Sequence, residues 1–327
     1  MKKRYLLLIA LALTALIITP ILAGCGTSSN KATTTTGAGG TTTTGASASY
    51  DLKTVLAGIT ADASLKAQLP AKYQTANIKV ASDIPYPPWE MYVGDTKQAT
   101  GFDYDLSQAL GAKLGVKFDY VETKFDAIIL SLQAGKNDIV MSDMYDNKER
   151  QKTLDFVDYA EDGTSALVLK GNPNKIVGLD TLAGKSVGCE KGTTQAIFLD
   201  SLNKKFATEG KAKMTINQYP DQPSALLAVK SGRVVCDLTD HSTASYVAQT
   251  QDNGTTFEVV ADPANPQGYD SQPVGIGVLK ANSQLLDVLQ KALQALIDDG
   301  SYKKIVDHYG LISVAKAQVN SGTASGS

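Results

Sequence analysis

Two spacings of apolar residues alternate along this chain, and their order predicts an α/β protein. Ile78-Lys79-Val80-Ala81 reads as a strand, after which Phe102, Leu106, Ala109, Leu110 and Leu114 recur at helical intervals until Gly115 stops the helix. Val116 to Val121 predicts the next strand, and Phe125, Ile128, Ile129 and Leu132 mark a helix ended by Gly135. A short apolar strand then opens at Asp138. Strand, helix, strand, helix, strand in that order implies a parallel sheet with right-handed crossovers, whose ligands sit beyond the carboxyl ends of the strands. A second set follows: strands Ala166 to Lys170 and Ser186 to Cys189, a helix after Gly192, strand Met214 to Tyr219, helix Ser224 to Ser231 and strand Val234 to Thr239. Leu285, Leu286, Leu289, Leu293, Leu296 and Ile297 form a final helical stripe ended by Gly300, and Ile305 to Tyr309 suggests a turn or short helix.

The ends of the chain are different in kind. Lys2, Lys3 and Arg4 precede an apolar run from Tyr5 to Leu22, and Leu22-Ala23-Gly24-Cys25 is a small-residue cleavage site ending in cysteine, the pattern of a lipoprotein signal peptide. Cleavage before Cys25 would leave that cysteine to carry the lipid, each buried methylene contributing roughly 0.8 kcal/mol to membrane anchoring. Residues 25–49 are almost entirely Thr, Ser, Gly and Ala after the cysteine, which predicts a flexible tether. No later apolar run is long enough to span a bilayer, so the mature body is expected to be soluble and extracytoplasmic.

Charge and cysteine usage narrow the function. The chain has 31 basic and 33 acidic side chains; without Lys2, Lys3 and Arg4 the mature balance is −5, and with no basic stripe nucleic acid is a poor partner. Cys189 and Cys236 fall on two strands of one half, where either a disulfide or two free buried thiols is compatible with the pattern. Gly184-Lys185-Ser186-Val187-Gly188 has the letters of a nucleophile elbow but leads into a strand instead of following one, and the same stretch misses the glycine spacing of a phosphate loop. His241 and His308 are the only histidines, and no Cys/His/acid cluster has metal-ligand spacing. Neither cofactor nor metal is expected.

The most informative stretch is DIVMSDMYDNKERQKTLDFVDY, from Asp138 to Tyr159. Its strand runs into a polar turn, Ser142 to Asn147, that delivers Arg150, whose planar fork suits a carboxylate; a surface ion pair is the alternative. This turn, together with Tyr86-Pro87-Pro88-Trp89, GFDYDLSQALGAKLG, LAGKSVGCEKGTTQ and IDDGSYKKIVDHYG, resembles the bacterial extracellular solute-binding proteins of family 3, the polar amino-acid receptors of ABC importers. The likeness covers roughly Ile78 to Gly310.

That resemblance implies a two-lobed, periplasmic-binding-protein-like (type II) fold, each lobe a mostly parallel sheet flanked by helices, joined by a two-strand hinge. It places lobe I at 77–164 plus 274–315 and lobe II with the hinge at 165–273, leaving 50–76 as an N-terminal extension and 316–327 as a flexible tail. It implies that Arg150 grips a ligand carboxylate with help from Thr193, Thr194 and the backbone after Gly192, that Asp240 of the other lobe receives the α-ammonium, and that Asp83, Tyr86 and Phe125 line the side-chain end, with Trp89 packed beneath. The chain departs from the family at Asp143, where Gly or Ser is usual, at Tyr145, where Thr or Ser is usual, and at Asn147, often Thr; Val235 replaces a common Asp. Asp83, Asp143 and Asp240, with Glu190 as a further candidate, against one Arg150 make an acid excess that is costly unless a cation enters with the ligand. The expectation is therefore a non-enzymatic, monomeric, lipid-anchored receptor for a cationic amino acid (arginine, lysine, ornithine or histidine) that delivers it to an ABC permease. A dehydratase of the prephenate or arogenate type on the same fold, or a ligand sensor, is the alternative.

Overall fold

The computed structural model describes residues 50–324, so Cys25 and the expected signal peptide and tether lie outside the described residues. Two short helices, α1 (Leu52–Ala57) and α2 (Ala63–Gln68), open this part of the chain, each capped by an aspartate, Asp51 or Asp62, that accepts from the first-turn N–H groups. The first half then runs β1 (Ile78–Ser82), a small hairpin of β2 (Met91–Tyr92) and β3 (Ala99–Thr100), α3 (Phe102–Leu114), β4 (Phe118–Glu122), α4 (Ile128–Gln133) and β5 (Ile139–Val140). Gly115, at φ 62°, terminates α3 as its spacing predicts. β4, β1 and β5 pair in parallel in that order, with Val80 opposite Tyr120 on one side and Ile139 on the other.

A single strand of 16 residues, β6 (Leu154–Leu169), carries the chain into the second half. There, β7 (Ser186–Glu190), α5 (Thr194–Thr208), β8 (Thr215–Tyr219), α6 (Gln222–Lys230), β9 (Cys236–Asp240), α7 (His241–Thr250) and β10 (Phe257–Val259) follow in turn. β7 pairs in parallel with both β8 and β9, and β11 (Tyr269–Leu279) returns antiparallel to β6. The continuous order β4-β1-β5-β11-β6-β9-β7-β8 makes the fold two-lobed, each lobe built on three parallel strands and joined through β6 and β11. The chain closes with α8 (Ser283–Asp298), α9 (Ser301–Tyr309) and β12 (Ile312–Val319).

Separate cores hold the lobes. In the first, the α8 stripe Leu285, Leu289, Leu293 and Leu296 is fully buried with Ile78, Val80, Phe102, Leu106 and Leu110, each such side chain contributing about 1.5–3 kcal/mol. In the second, Val187, Leu199, Phe206 and Leu238 pack with Cys189 and Cys236. Both cysteines are free. Cys236 lies opposite Val187, not Cys189, so the two thiols sit diagonally on adjacent strands, beyond the usual reach of a disulfide.

The strand expected at Ala166 to Lys170 is only the end of β6, which runs straight through the turn-like Asp162-Gly163. A side chain at Gly163 would stand 2.4 Å from the Gln267 carbonyl, and one at Gly268 would stand 2.7 Å from the Gly163 carbonyl carbon, so the two crossovers touch backbone to backbone. The expected flexible tail is corrected in part: residues 316–319 belong to β12, and Ser321 and Gly322 donate to Asp158 (3.1 and 2.6 Å) and Asp146 (2.8 Å). Small polar residues held by hydrogen bonds leave no apolar period to read. Among the described residues no helix is long and apolar enough to cross a membrane.

Candidate functional site

A narrow crevice lies beyond the carboxyl ends of the parallel strands, lined by Asp83, Tyr86, Phe125, Ser142, Asp143 and Arg150 from the first lobe and Thr193, Thr194, Gln195 and Asp240 from the second. Every expected contact residue except Tyr145 is among them, and Ser142 and Gln195, next to expected positions, join them.

Arg150 reaches the crevice because the turn after β5 is pinned from several sides. The Asn147 side-chain oxygen accepts from the Arg150 N–H at 2.9 Å, and the guanidinium donates to the Tyr145 carbonyl at 2.8 Å and, across the crevice, to the Gly192 carbonyl at 3.3 Å. Phe125 stacks beneath, its ring centroid 5.3 Å from the guanidinium carbon. Burial pulls the Arg150 pKa down to about 10, against the pull of Asp240 and Asp143, and the group stays cationic at neutral pH. Asn147 thus serves the arginine's backbone.

Asp143 sits at the tip of this turn with φ 42°, a left-handed conformation rare for a non-glycine residue. Its N–H donates to Asp103, at the first turn of α3, at 2.9 Å. Both its carboxylate oxygens are buried without a hydrogen-bond partner among the described residues. Tyr145 is absent from the crevice lining; it is buried, its backbone bridges β11 at Val274 and its carbonyl holds Arg150, while its hydroxyl stands beside the Asp240 carboxylate. Trp89 is fully buried and donates to Ser242 of the other lobe at 2.9 Å.

The opposing wall includes Thr194 and Gln195, the first residues of α5, and the first-turn N–H groups of a helix, which have no intrahelical partner, suit an anion. Asp240, ending β9, accepts from Gln195 at 2.8 Å and from the Tyr86 hydroxyl, a bond that joins the lobes. The lobes are further latched by Lys124, 3.4 Å from Asp83 and 3.1 Å from Asp221, and by Lys191 at 2.7 Å from Asp126. This is a closed arrangement.

Electrostatics set the character of the crevice. Carboxylate oxygens of Asp143, Asp162 and Asp240 lie within 4.8 Å of one another, all buried. Burial, then the neighbouring charges, pushes Asp162 up to about 8 and Asp143 well above the carboxylate range, and burial raises Asp240 as well. Asp162 lies on the crossover strand and had no motif to betray it. It accepts from the Gly163 and Ser242 N–H groups at 2.7 and 3.2 Å, leaving Asp143 as the uncompensated member. Such a cluster is complementary to a cation that donates several hydrogen bonds, as an ammonium does.

A two-lobed α/β body with a polar crevice at its hinge, one guanidinium and several carboxylates facing inward, defines a binding protein of the type II periplasmic class. The family profile of bacterial extracellular solute-binding proteins, family 3, matches residues 78–312, and the chain belongs to that family. It is 30% identical to the lysine/arginine/ornithine-binding periplasmic protein of Escherichia coli K12 over 78% of this chain and 94% of that protein. Among solved structures, an ancestral arginine-binding protein bound to arginine superposes with a TM-score of 0.63 at 34% identity, over 71% of this chain and 97% of the other. The ancestral amino acid-binding protein described as a precursor of cyclohexadienyl dehydratase gives 0.61 at 32%, over 73% and 97%.

Proposed function

We propose that this chain is the substrate-binding component of an ABC importer and captures a cationic amino acid, arginine or lysine in the simplest case, by closing its two lobes. The observation that carries this reading is the charge balance of the crevice: Arg150 faces Asp143 and Asp240, with Asp162 beside them, while Asp83 has Lys124 at 3.4 Å. The ligand carboxylate meets the free edge of the Arg150 guanidinium and the N-terminus of α5. The α-ammonium enters the carboxylate cluster at Asp240, and the distal cation extends toward Asp83. The relatives named for lysine, arginine and ornithine support the same class of ligand.

Because the anchors come from opposite lobes, a zwitterion stabilises the closed form over the open one, and the closed form is what a permease would recognise. In this reading lobe I spans 77–164 with 274–319 and lobe II spans 165–273. Cys25 carries the lipid that keeps the monomer near the permease, and no reaction is catalysed. Calorimetric titration with the twenty amino acids, with product analysis of each mixture, tests the proposal. Tight binding of arginine, lysine, ornithine or histidine without turnover is expected; preference for an acidic amino acid, or release of a product, would reject it.

A further inference from the structure

Three carboxylates meet from three separate segments: Asp143 from the turn after β5, Asp162 from the crossover within β6 and Asp240 from the end of β9. One oxygen of each lies within 4.8 Å of the other two, and each residue is at most 5% exposed. Oxygens that share one calcium ion, each about 2.3–2.6 Å from it, stand no more than about 4.6–5.2 Å apart, so these three fit around a single ion. Two of the members are partly provided for: Asp162 accepts from the Gly163 and Ser242 N–H groups, and Asp240 from Gln195 and the Tyr86 hydroxyl. Asp143 is not. Both its oxygens are buried without a hydrogen-bond partner among the described residues, while its own N–H is tied to Asp103 and keeps the turn in place. A carboxylate buried in this way calls for a cation.

Charge decides which kind of cation. The three carboxylates and Arg150, which lines the same crevice, leave two negative charges. An α-ammonium that arrives with its own carboxylate brings no net charge, whereas one divalent ion cancels both. The donors are all oxygens, with neither thiolate nor imidazole among them, which selects a hard ion of the calcium type over zinc or copper. We propose that Asp143, Asp162 and Asp240 form a site for a hard divalent cation, with calcium as the fitting ion, which binds the protein free of amino acid and holds its lobes together. The ion spans Asp143 of lobe I and Asp240 of lobe II, so it favours the closed form as a ligand does. It also takes the place that the α-ammonium takes in the proposed capture, so calcium and an amino acid exclude one another. The site itself does not depend on which amino acid is captured.

The test is calorimetric titration of calcium chloride into the intact chain, stripped beforehand of metal and amino acid. One ion per chain is expected, with a Kd on the order of 10⁻⁴–10⁻³ M, the range of calcium sites in extracellular modules, together with a rise in melting temperature. Asp143→Asn keeps the size of the side chain and tolerates the left-handed backbone; it is expected to weaken calcium roughly tenfold or more, and a metal-free melt confirms that it folds. In the wild type, calcium at about ten times its Kd should raise the apparent Kd of arginine about tenfold. Absence of calcium binding at about 10 mM, or equal affinity in Asp143→Asn, overturns the site and leaves amino-acid capture as proposed. Calcium binding that leaves the affinity for arginine unchanged places the ion outside this cluster and overturns the assignment equally. A chain that takes up calcium through Asp143 but binds no amino acid would sustain the site and reject the functional reading instead.

Discussion

Replacing Arg150 by alanine removes the sole guanidinium of the crevice. Two of its five N–H bonds are spent on the carbonyls of Tyr145, at 2.8 Å, and Gly192, at 3.3 Å, so three remain for a carboxylate. Truncating one member of a buried charged pair costs about 2–5 kcal/mol, which corresponds to a loss of roughly 30-fold to 5,000-fold in affinity for arginine. Part of that loss is not specific, because the Gly192 carbonyl also loses a bond that holds the lobes together. Agmatine, which is arginine without its carboxylate, separates the two contributions. Calorimetric titration of both ligands into wild type and Arg150→Ala yields the coupling between guanidinium and carboxylate, expected to exceed about 1.5 kcal/mol, with arginine losing at least tenfold more than agmatine. Equal losses for the two ligands would show that the carboxylate binds elsewhere.

Asp240→Asn removes a carboxylate that Gln195 and Tyr86 hold in place, and is expected to weaken arginine by on the order of 2–5 kcal/mol while leaving the melting temperature of the free protein nearly unchanged. Glu90, fully buried, accepts from Ser142 at 2.6 Å and has its pKa raised well above 4.5 by burial and then by Asp103. A carboxyl raised on folding contributes stability that is complete below its ordinary pKa and is lost as pH climbs through the folded value. Glu90→Gln should therefore gain on the wild type progressively from pH 5 to pH 9 in urea denaturation, and parallel curves would refute this. Gly163→Ala forces a Cβ to 2.4 Å from the Gln267 carbonyl; a cost of about 1–3 kcal/mol and impaired closure, read by small-angle scattering with and without arginine, are expected. Deleting residues after Asn320 strips the bonds to Asp158 and Asp146, and should lower both the melting temperature and ligand affinity through the Arg150 turn.

Where apolar period and helix-stop glycines coincide, the sequence is explicit: α3 ends at Gly115, and the α8 stripe from Leu285 to Leu296 is buried as spaced. What resists reading is polar or irregular. α7, HSTASYVAQT, lacks a strong apolar stripe, β10 has only three residues, and β6 crosses Asp162-Gly163, letters that ordinarily signal a turn. Arg150, Asp143 and the Thr193-Thr194 pair were legible because a strand or helix end fixes each one. Asp162 was not, because its proximity to Asp143 and Asp240 arises from the crossover of β6, a tertiary fact without local signature. Tyr145, expected as a ligand contact from its place in the turn, is buried beside the Asp240 carboxylate rather than in the crevice lining.

The central claim is that the crevice selects one zwitterion bearing an additional positive charge. Calorimetric titration of the intact chain with arginine, lysine, glutamine, glutamate and agmatine, in one buffer at one pH, tests it most directly. Arginine or lysine should bind tightest, with glutamine and agmatine each weaker by at least tenfold and glutamate undetectable. Glutamate binding as well as arginine, or agmatine matching arginine, would contradict it.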